Sequence, residues 1–277
     1  MLAAQSPLVS VVTTAFQAEA HVARALRSAT MLDADAPVEI ILFDDGSTDG
    51  TLAAARAEAE TDPRILVIEG GRQGRARALN RAIDAARGRY IAILDADDIA
   101  LPHRLRVTLP MLEADPGLAM ACSEAIIFEG TTPQPPAGPS AGTNADARVS
   151  RITPAMLYAS NRITHSTVLF RRAAWEQAGG YDERLDICID YAFYFRLLRV
   201  GGIVHTDSVT CLRERRADSY FSAQRQQDYA NALSRIRAEA RSTMAIPLWA
   251  KLAAAARSIR LGMKNLGGQP HAPSGTA

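Results

Sequence analysis

Two short acidic runs carry the residue types and spacing that point to chemistry: Phe43-Asp44-Asp45-Gly46-Ser47 and Asp95-Ala96-Asp97-Asp98. Each directly follows an apolar stretch, Val38 to Phe43 in one case and Tyr90 to Leu94 in the other. Crowded carboxylates repel one another unless a cation neutralises them. Hard oxygen ligands suit Mg²⁺ or Mn²⁺, and Mg²⁺ commonly sits between one or two carboxylates and the phosphates of a substrate. An acidic pocket therefore points to a metal-bridged diphosphate, whereas a bare phosphate is expected on backbone amides and lysines. The Gly70 to Gly74 loop, with Arg72, Arg75 and Arg77, offers positive charge beside such a diphosphate. Helix capping and turn formation would explain either acidic run alone. Two runs at equivalent places favour a site. The arginines on an Ala-rich helix read more readily as a solvated face than as ligands.

The places are equivalent because of the elements around them. Leu8 to Val12, Val38 to Phe43, Ile65 to Ile68 and Tyr90 to Leu94 read as strands. They alternate with helical patterns over Glu19 to Met31, Thr48 to Glu60 and Ala76 to Ala86, and Pro102 begins another helix. Ser47 or Thr48 is expected to cap the second helix. Strands without polar alternation are buried on both faces, and strands alternating with helices imply a parallel sheet. Ligands of such sheets lie beyond the carboxyl ends of the strands, which here carry Thr13-Thr14, Asp44-Asp45, the Gly70 to Gly74 loop and Asp95 to Asp98. Further on, Gly130 to Ala147 is rich in Pro, Gly, Thr and Ala and reads as a mobile loop. A second unit, about Arg151 to Arg213, contains a strand, Ser166 to Phe170, and a helix, Asp190 to Arg199. Beyond Ala217 the pattern is mostly helical, and Ile246 to Leu266 is amphipathic and basic, with Lys251, Arg257, Arg260 and Lys264. The tail from Gly267 has little to bury and is expected to be disordered.

The bulk numbers suit this α/β reading. A chain of 277 residues, 48% hydrophobic and 22% charged, is long enough to bury a core without staples. A net charge of +1 implies no nucleic-acid partner. Cys122, Cys188 and Cys211 form no metal-ligand pattern or disulfide framework, so a reducing, cytoplasmic setting is expected. Met1 to Pro7 does not read as a signal peptide, and no apolar run reaches the ~18 residues of a membrane span.

Taken in order, Val9 to Thr14 (VSVVTT), Val38 to Thr51 (VEIILFDDGSTDGT), Ala78 to Ile83 (ALNRAI) and Gly88 to Pro102 (GRYIAILDADDIALP) resemble the inverting family-2 glycosyltransferases of the GT-A fold. His165 to Arg172 (HSTVLFRR), Gly179 to Glu183 (GGYDE) and Ile189-Asp190-Tyr191 extend that resemblance over roughly Leu8 to Asp218. It implies a GT-A domain over 1–218, with a nucleotide-sugar-binding half (8–129), a flexible loop (130–150) and an acceptor-side half (151–218). A helical extension (219–266) and the tail (267–277) follow. It also implies that Thr14 and Asp45 contact the nucleotide base with Asp44 beside them, and that Asp95 and Asp97 form the DxD element. Asp97, with Asp98 adjacent, would hold the ribose and the Mg²⁺ or Mn²⁺. Asp190 matches the general base and His165 the acceptor side. Read without the family, Asp190 is a helix N-cap and His165 a structural histidine.

The implied reaction moves one sugar from a nucleotide-diphospho-sugar, a UDP-sugar by preference, to a hydroxyl of a glycan, a lipid-linked or another acceptor. Cell-surface polysaccharide or glycan synthesis is the expected setting. Relatives often carry a histidine metal ligand where Leu212 to Ser219 (LRERRADS) has none, and an arginine there would compensate by pairing with the diphosphate. The Gln-x-x-Arg-Trp element of processive synthases is absent from Gln224 to Asp228, so single-sugar addition is expected. A degenerate transferase that only binds glycans or partners is the alternative. A sugar nucleotidyltransferase is disfavoured, because Thr13 to Ala20 has no glycine, lysine or arginine. The basic helix 246–266 predicts peripheral membrane contact, with packing on its own domain as the competing expectation.

Overall fold

A computed structural model describes residues 6–133, 147–215 and 226–266. Most of the expected mobile loop, the 218/219 boundary, Gln224 and Arg225 of the Gln224 to Asp228 stretch, and the tail lie outside these residues. Nine strands among the described residues form one sheet in the order β3 (Ile65–Gly70), β2 (Val38–Asp45), β1 (Val9–Ala15), β4 (Tyr90–Ile93), β8 (Leu169–Arg171), β6 (Leu118–Phe128), β9 (Gly202–Glu214) and β5 (Ile99–Ala100), with β7 (Val149–Ile152) paired to β9.

The amino-terminal half follows the apolar runs. β1 (Val9–Ala15), β2 (Val38–Asp45), β3 (Ile65–Gly70) and β4 (Tyr90–Ile93) pair in parallel. Between them run α1 (Val22–Thr30), α2 (Thr51–Thr61) and α3 (Arg75–Ala85). Successive side chains point to opposite faces. Val12, Ile41, Ile91 and Ile93 pack with α3 on one face, while Val11, Ile40, Leu42 and Ala92 pack with α1 on the other. On α1, Val22, Ala25, Leu26 and Ala29 give the buried stripe of an amphipathic helix. The expected cap of α2 is corrected: Gly50 stands at its N-cap, and Asp49 instead accepts from the Thr51 N–H at 3.1 Å.

After β5 (Ile99–Ala100) and α4 (Arg104–Ala114), the sheet turns mixed. β6 (Leu118–Phe128) and β9 (Gly202–Glu214) are long parallel partners; β7 (Val149–Ile152) and β8 (Leu169–Arg171) pair antiparallel with their neighbours. The expected strand from Ser166 to Phe170 is corrected to a 3-10 turn, His165–Thr167, followed by β8. Helices α5 (Pro154–Ala159), α6 (Arg172–Ala178) and α7 (Ile189–Leu197) cover the same face as α3. α7 buries Tyr191, Phe193, Tyr194, Phe195 and Leu197, so it is a core helix.

The carboxy-terminal helices α8 (Gln226–Thr243) and α9 (Leu248–Leu266) join this core. Ile236 and Ala240 of α8, and Ala250 and Ala254 of α9, are buried in the cluster that contains α5 and α7. The inward face of α9 therefore packs on its own domain. Its outward face leaves Leu248, Trp249 and Leu252 exposed. No helix of the described residues is long and apolar enough to cross a membrane.

Candidate active site

Four loops at the carboxyl ends of β1, β2, β3 and β4 converge on a cavity of about 450 Å³. Strand β2 runs through both aspartates of the first acidic run, so Asp44 and Asp45 are strand residues that end buried. Asp45 lines the cavity and is held by the N–H groups of Gln73 at 2.7 Å and Gly74 at 3.1 Å, and by Arg72. Gly46 makes this turn possible. Its φ is +77°, and a Cβ there would stand 2.7 Å from the Arg72 backbone nitrogen. Asp44 lines neither this cavity nor its neighbour: Oδ2 accepts from the Ser47 N–H at 3.1 Å, and Oδ1 is buried without a hydrogen bond among the described residues. Thr14 also lines the cavity, with Phe16 and Gln17 beyond it. The Arg72 guanidinium sits 3.7 Å from the Phe16 ring centroid, a cation–π contact that forms one wall.

The second acidic run forms the floor. Asp95, Asp97 and Asp98 all line this cavity. Arg75, at the first turn of α3, donates to Asp95 at 2.6 Å. Burial works to raise the Asp95 pKa, but Arg75 and His165 outweigh it and hold this carboxyl far below the usual range. Asp98 goes the other way. Burial, then the neighbouring Asp95 and Asp97, push it up to about 8, although Ser166 donates to it. Three carboxylates competing for too little positive charge are the setting in which a divalent cation is favourable. No group of three His, Cys, Asp or Glu side chains among the described residues is arranged as a metal site. The residues fit an ion that takes one or two carboxylates here and its other ligands from a diphosphate.

A second cavity, about 350 Å³, adjoins the first, and Arg75, Asp95 and Arg213 line both. Asp190 lies in its wall. It is the second residue of α7, whose N-cap is Cys188, so the capping explanation fails. Its Oδ2 is 3.4 Å from the Asn161 amide. Cys188 has φ +55°, and Gln17 in the first cavity has φ +52°. These are the described non-glycine residues with positive φ, and left-handed non-glycine backbone concentrates at functional sites. His165 also lines the second cavity, but both ring nitrogens face protein groups. Nε2 is 2.9 Å from the Tyr181 hydroxyl, and Nδ1 is 3.2 Å from Arg75 and 3.4 Å from Asp95. His165 thus braces Asp95 against Tyr181.

Of the expected residues, Arg77 is not brought to either cavity; its guanidinium pairs with Glu183 at 3.0 Å on the surface. Sequence reasoning missed Phe16, Gln17 and Asn161. It also missed Tyr229, Arg237 and Arg257, which α8 and α9 bring to the second cavity. The Leu212 to Ser219 stretch, singled out for lacking a histidine, is described as far as Arg215 and places Arg213 on both cavities.

Comparisons with known proteins bear on the family and the fold. A family model described as Glycosyl transferase family 2 matches residues 10–177. Chondroitin synthase of Escherichia coli is 27% identical over 214 residues, covering 73% of this chain and 28% of the relative. The succinoglycan biosynthesis protein ExoO of Rhizobium meliloti is 36% identical over 108 residues, 39% of this chain and 30% of that protein. The chain thus spans under a third of either relative. Among solved structures, S. aureus TarS with UDP-GlcNAc superposes with a TM-score of 0.68 at 17% identity, over 89% of this chain and 70% of that one. The Pyrobaculum calidifontis mannosyltransferase PcManGT, in complex with GDP-Man and Mn²⁺, gives 0.67 at 21% identity, over 96% and 77%. These last two likenesses speak to the fold.

Proposed function

This chain belongs to glycosyl transferase family 2, and on that premise we propose that it moves a single sugar, with inversion, from a nucleotide-diphospho-sugar to an acceptor hydroxyl. The observation that carries the reading is the pair of adjoining cavities that share Arg75, Asp95 and Arg213. The first takes the donor. Thr14, Asp45 and the Phe16–Arg72 wall face the nucleotide, and Asp97 with Asp98 faces the diphosphate. A Mg²⁺ or Mn²⁺ ion held by Asp97 and Asp98 would offset the charge that grows on the leaving diphosphate. Arg213, which lines both cavities, would pair with the diphosphate.

The second cavity takes the acceptor. Its hydroxyl oxygen forms the new bond to the anomeric carbon as the bond to the diphosphate oxygen breaks. Asp190 receives the hydroxyl proton. One displacement needs one base and no protein nucleophile. We assign the donor to UDP-sugars first, the acceptor to a glycan or lipid-linked hydroxyl, and the setting to cell-surface polysaccharide synthesis at the cytoplasmic membrane face. Release of nucleoside diphosphate from UDP-, dTDP- and GDP-sugars, with and without acceptor glycans, tests the reading. Acceptor-stimulated release with an inverted product anomer supports it. A chain that binds glycans but releases no nucleoside diphosphate from any donor is a binding module instead.

A further inference from the structure

The second cavity has a wall that the catalytic residues do not explain. Tyr229, Leu233 and Arg237 of α8, with Arg257 and Ser258 of α9, line it together with Asp95 and the first residues of α7. Arg237 is half-buried and oriented: Nη1 donates to Ser258 Oγ at 3.1 Å, and the guanidinium lies 5.7 Å from the Tyr158 ring centroid. Arg257 is exposed. Among the described residues no carboxylate lies within ion-pair distance of either arginine. Of the other two arginines in this cavity, Arg75 is already committed to Asp95 and Arg213 is shared with the first cavity. The helices therefore bring two guanidinium groups with no carboxylate partner among the described residues to the cavity that holds Asp190.

We propose that α8 and α9 complete the acceptor site, and that Arg237 and Arg257 bind an anionic group on the acceptor: the carboxylate of an acidic sugar or the phosphate of a glycosyl phosphate. The inference rests on the assignment of this cavity to the acceptor. Guanidinium groups bind both oxyanions through paired hydrogen bonds. A neutral saccharide has nothing to pair with these charges, so the site prefers the charged acceptor. The preference orients the acceptor as well as retaining it, because Arg237 is held in place before anything binds.

The test is binding, which separates it from turnover. The full chain is titrated by ligand-observed NMR with methyl β-glucoside, methyl β-glucuronide and glucose 1-phosphate. At least one anionic probe is expected to bind more tightly than the neutral glucoside by about tenfold, the worth of one charge-assisted hydrogen bond. The glucuronide leading assigns the group to an acidic sugar, and the phosphate leading assigns it to a glycosyl phosphate. Arg257→Gln alone should reduce the preference, and Arg237→Gln with Arg257→Gln should abolish it without changing UDP binding. Arg257 is exposed, so the single variant reads the same question if the double variant misfolds. Equal binding of neutral and charged probes, or a preference undiminished in Arg257→Gln, overturns the proposal. Failure of every nucleotide-sugar to bind the wild type counts against the transferase reading alone.

Discussion

Asp190 separates a catalytic from a structural account at the scale of one residue. It sits one position inside α7, so removing its charge takes no cap from the helix. Asp190→Asn is expected to keep the melting temperature and the donor affinity of the wild type while lowering kcat by about 10²–10⁴-fold. Turnover near the wild-type rate in that variant rules out the base. Arg213 makes the complementary case on the donor side. Arg213→Ala should weaken nucleoside diphosphate binding by about tenfold or more, and Arg213→Lys should restore part of it, since the charge returns without the guanidinium fork. Calorimetry with UDP on the three proteins checks this, and an unchanged Kd in Arg213→Ala removes Arg213 from the site. His165 lines the second cavity, and its ring nitrogens meet Arg75, Asp95 and Tyr181 there.

The loop between α6 and α7 lines the second cavity with Asp186, Ile187 and Cys188, and it has its own titration. Asp182 accepts from Arg184 and Arg196 at 2.8 and 2.9 Å. The Arg184 hydrogen bonds lead, burial opposes them, and together with Arg196 the carboxyl falls from 3.8 to about 2. A carboxylate with a lowered folded pKa contributes stability that is complete above its unfolded pKa near 4 and is lost as pH falls through about 2. Asp182→Asn should lower Tm at neutral pH by about 2–4 °C and flatten the Tm-versus-pH curve between pH 4 and 2. A variant curve parallel to the wild type would show that the loop does not depend on this carboxylate. The elements around the acidic runs were legible because β1 to β4 are apolar on both faces and end in turn residues. Strands β6 and β9 were not. They carry buried Ser123, Thr206, Ser208 and Thr210, and the Ser123 and Thr210 hydroxyls meet at 2.5 Å. Irregular register between these strands also breaks the alternation that a sequence pattern needs. The Arg213 end of the site therefore had an address in the sequence but no strand beneath it.

At the scale of the molecule, the carboxy-terminal helices change from an expected appendage to a wall of the fold. Small residues made this hard to read: Ala232, Ala240, Ala250 and Ala254 are the buried contacts, and alanine marks a buried face weakly. The opposite face of α9 exposes Leu248, Trp249 and Leu252 beside Lys251. An apolar patch with adjacent positive charge suits the surface of an anionic membrane. Replacing Leu248, Trp249 and Leu252 together with Ser should leave Tm nearly unchanged and sharply reduce binding to vesicles rich in phosphatidylglycerol. Equal vesicle sedimentation of variant and wild type rejects membrane docking by this face.

The central claim is that the acidic floor between the two cavities holds a nucleotide-sugar through a metal. Calorimetric titration of UDP-, dTDP- and GDP-sugars into the chain, with Mn²⁺ and then with chelator, measures it directly. One donor is expected to bind in Mn²⁺ and to lose most of its affinity both in chelator and in Asp97→Ala. Donor affinity that is the same with Mn²⁺, with chelator and in Asp97→Ala would contradict the account.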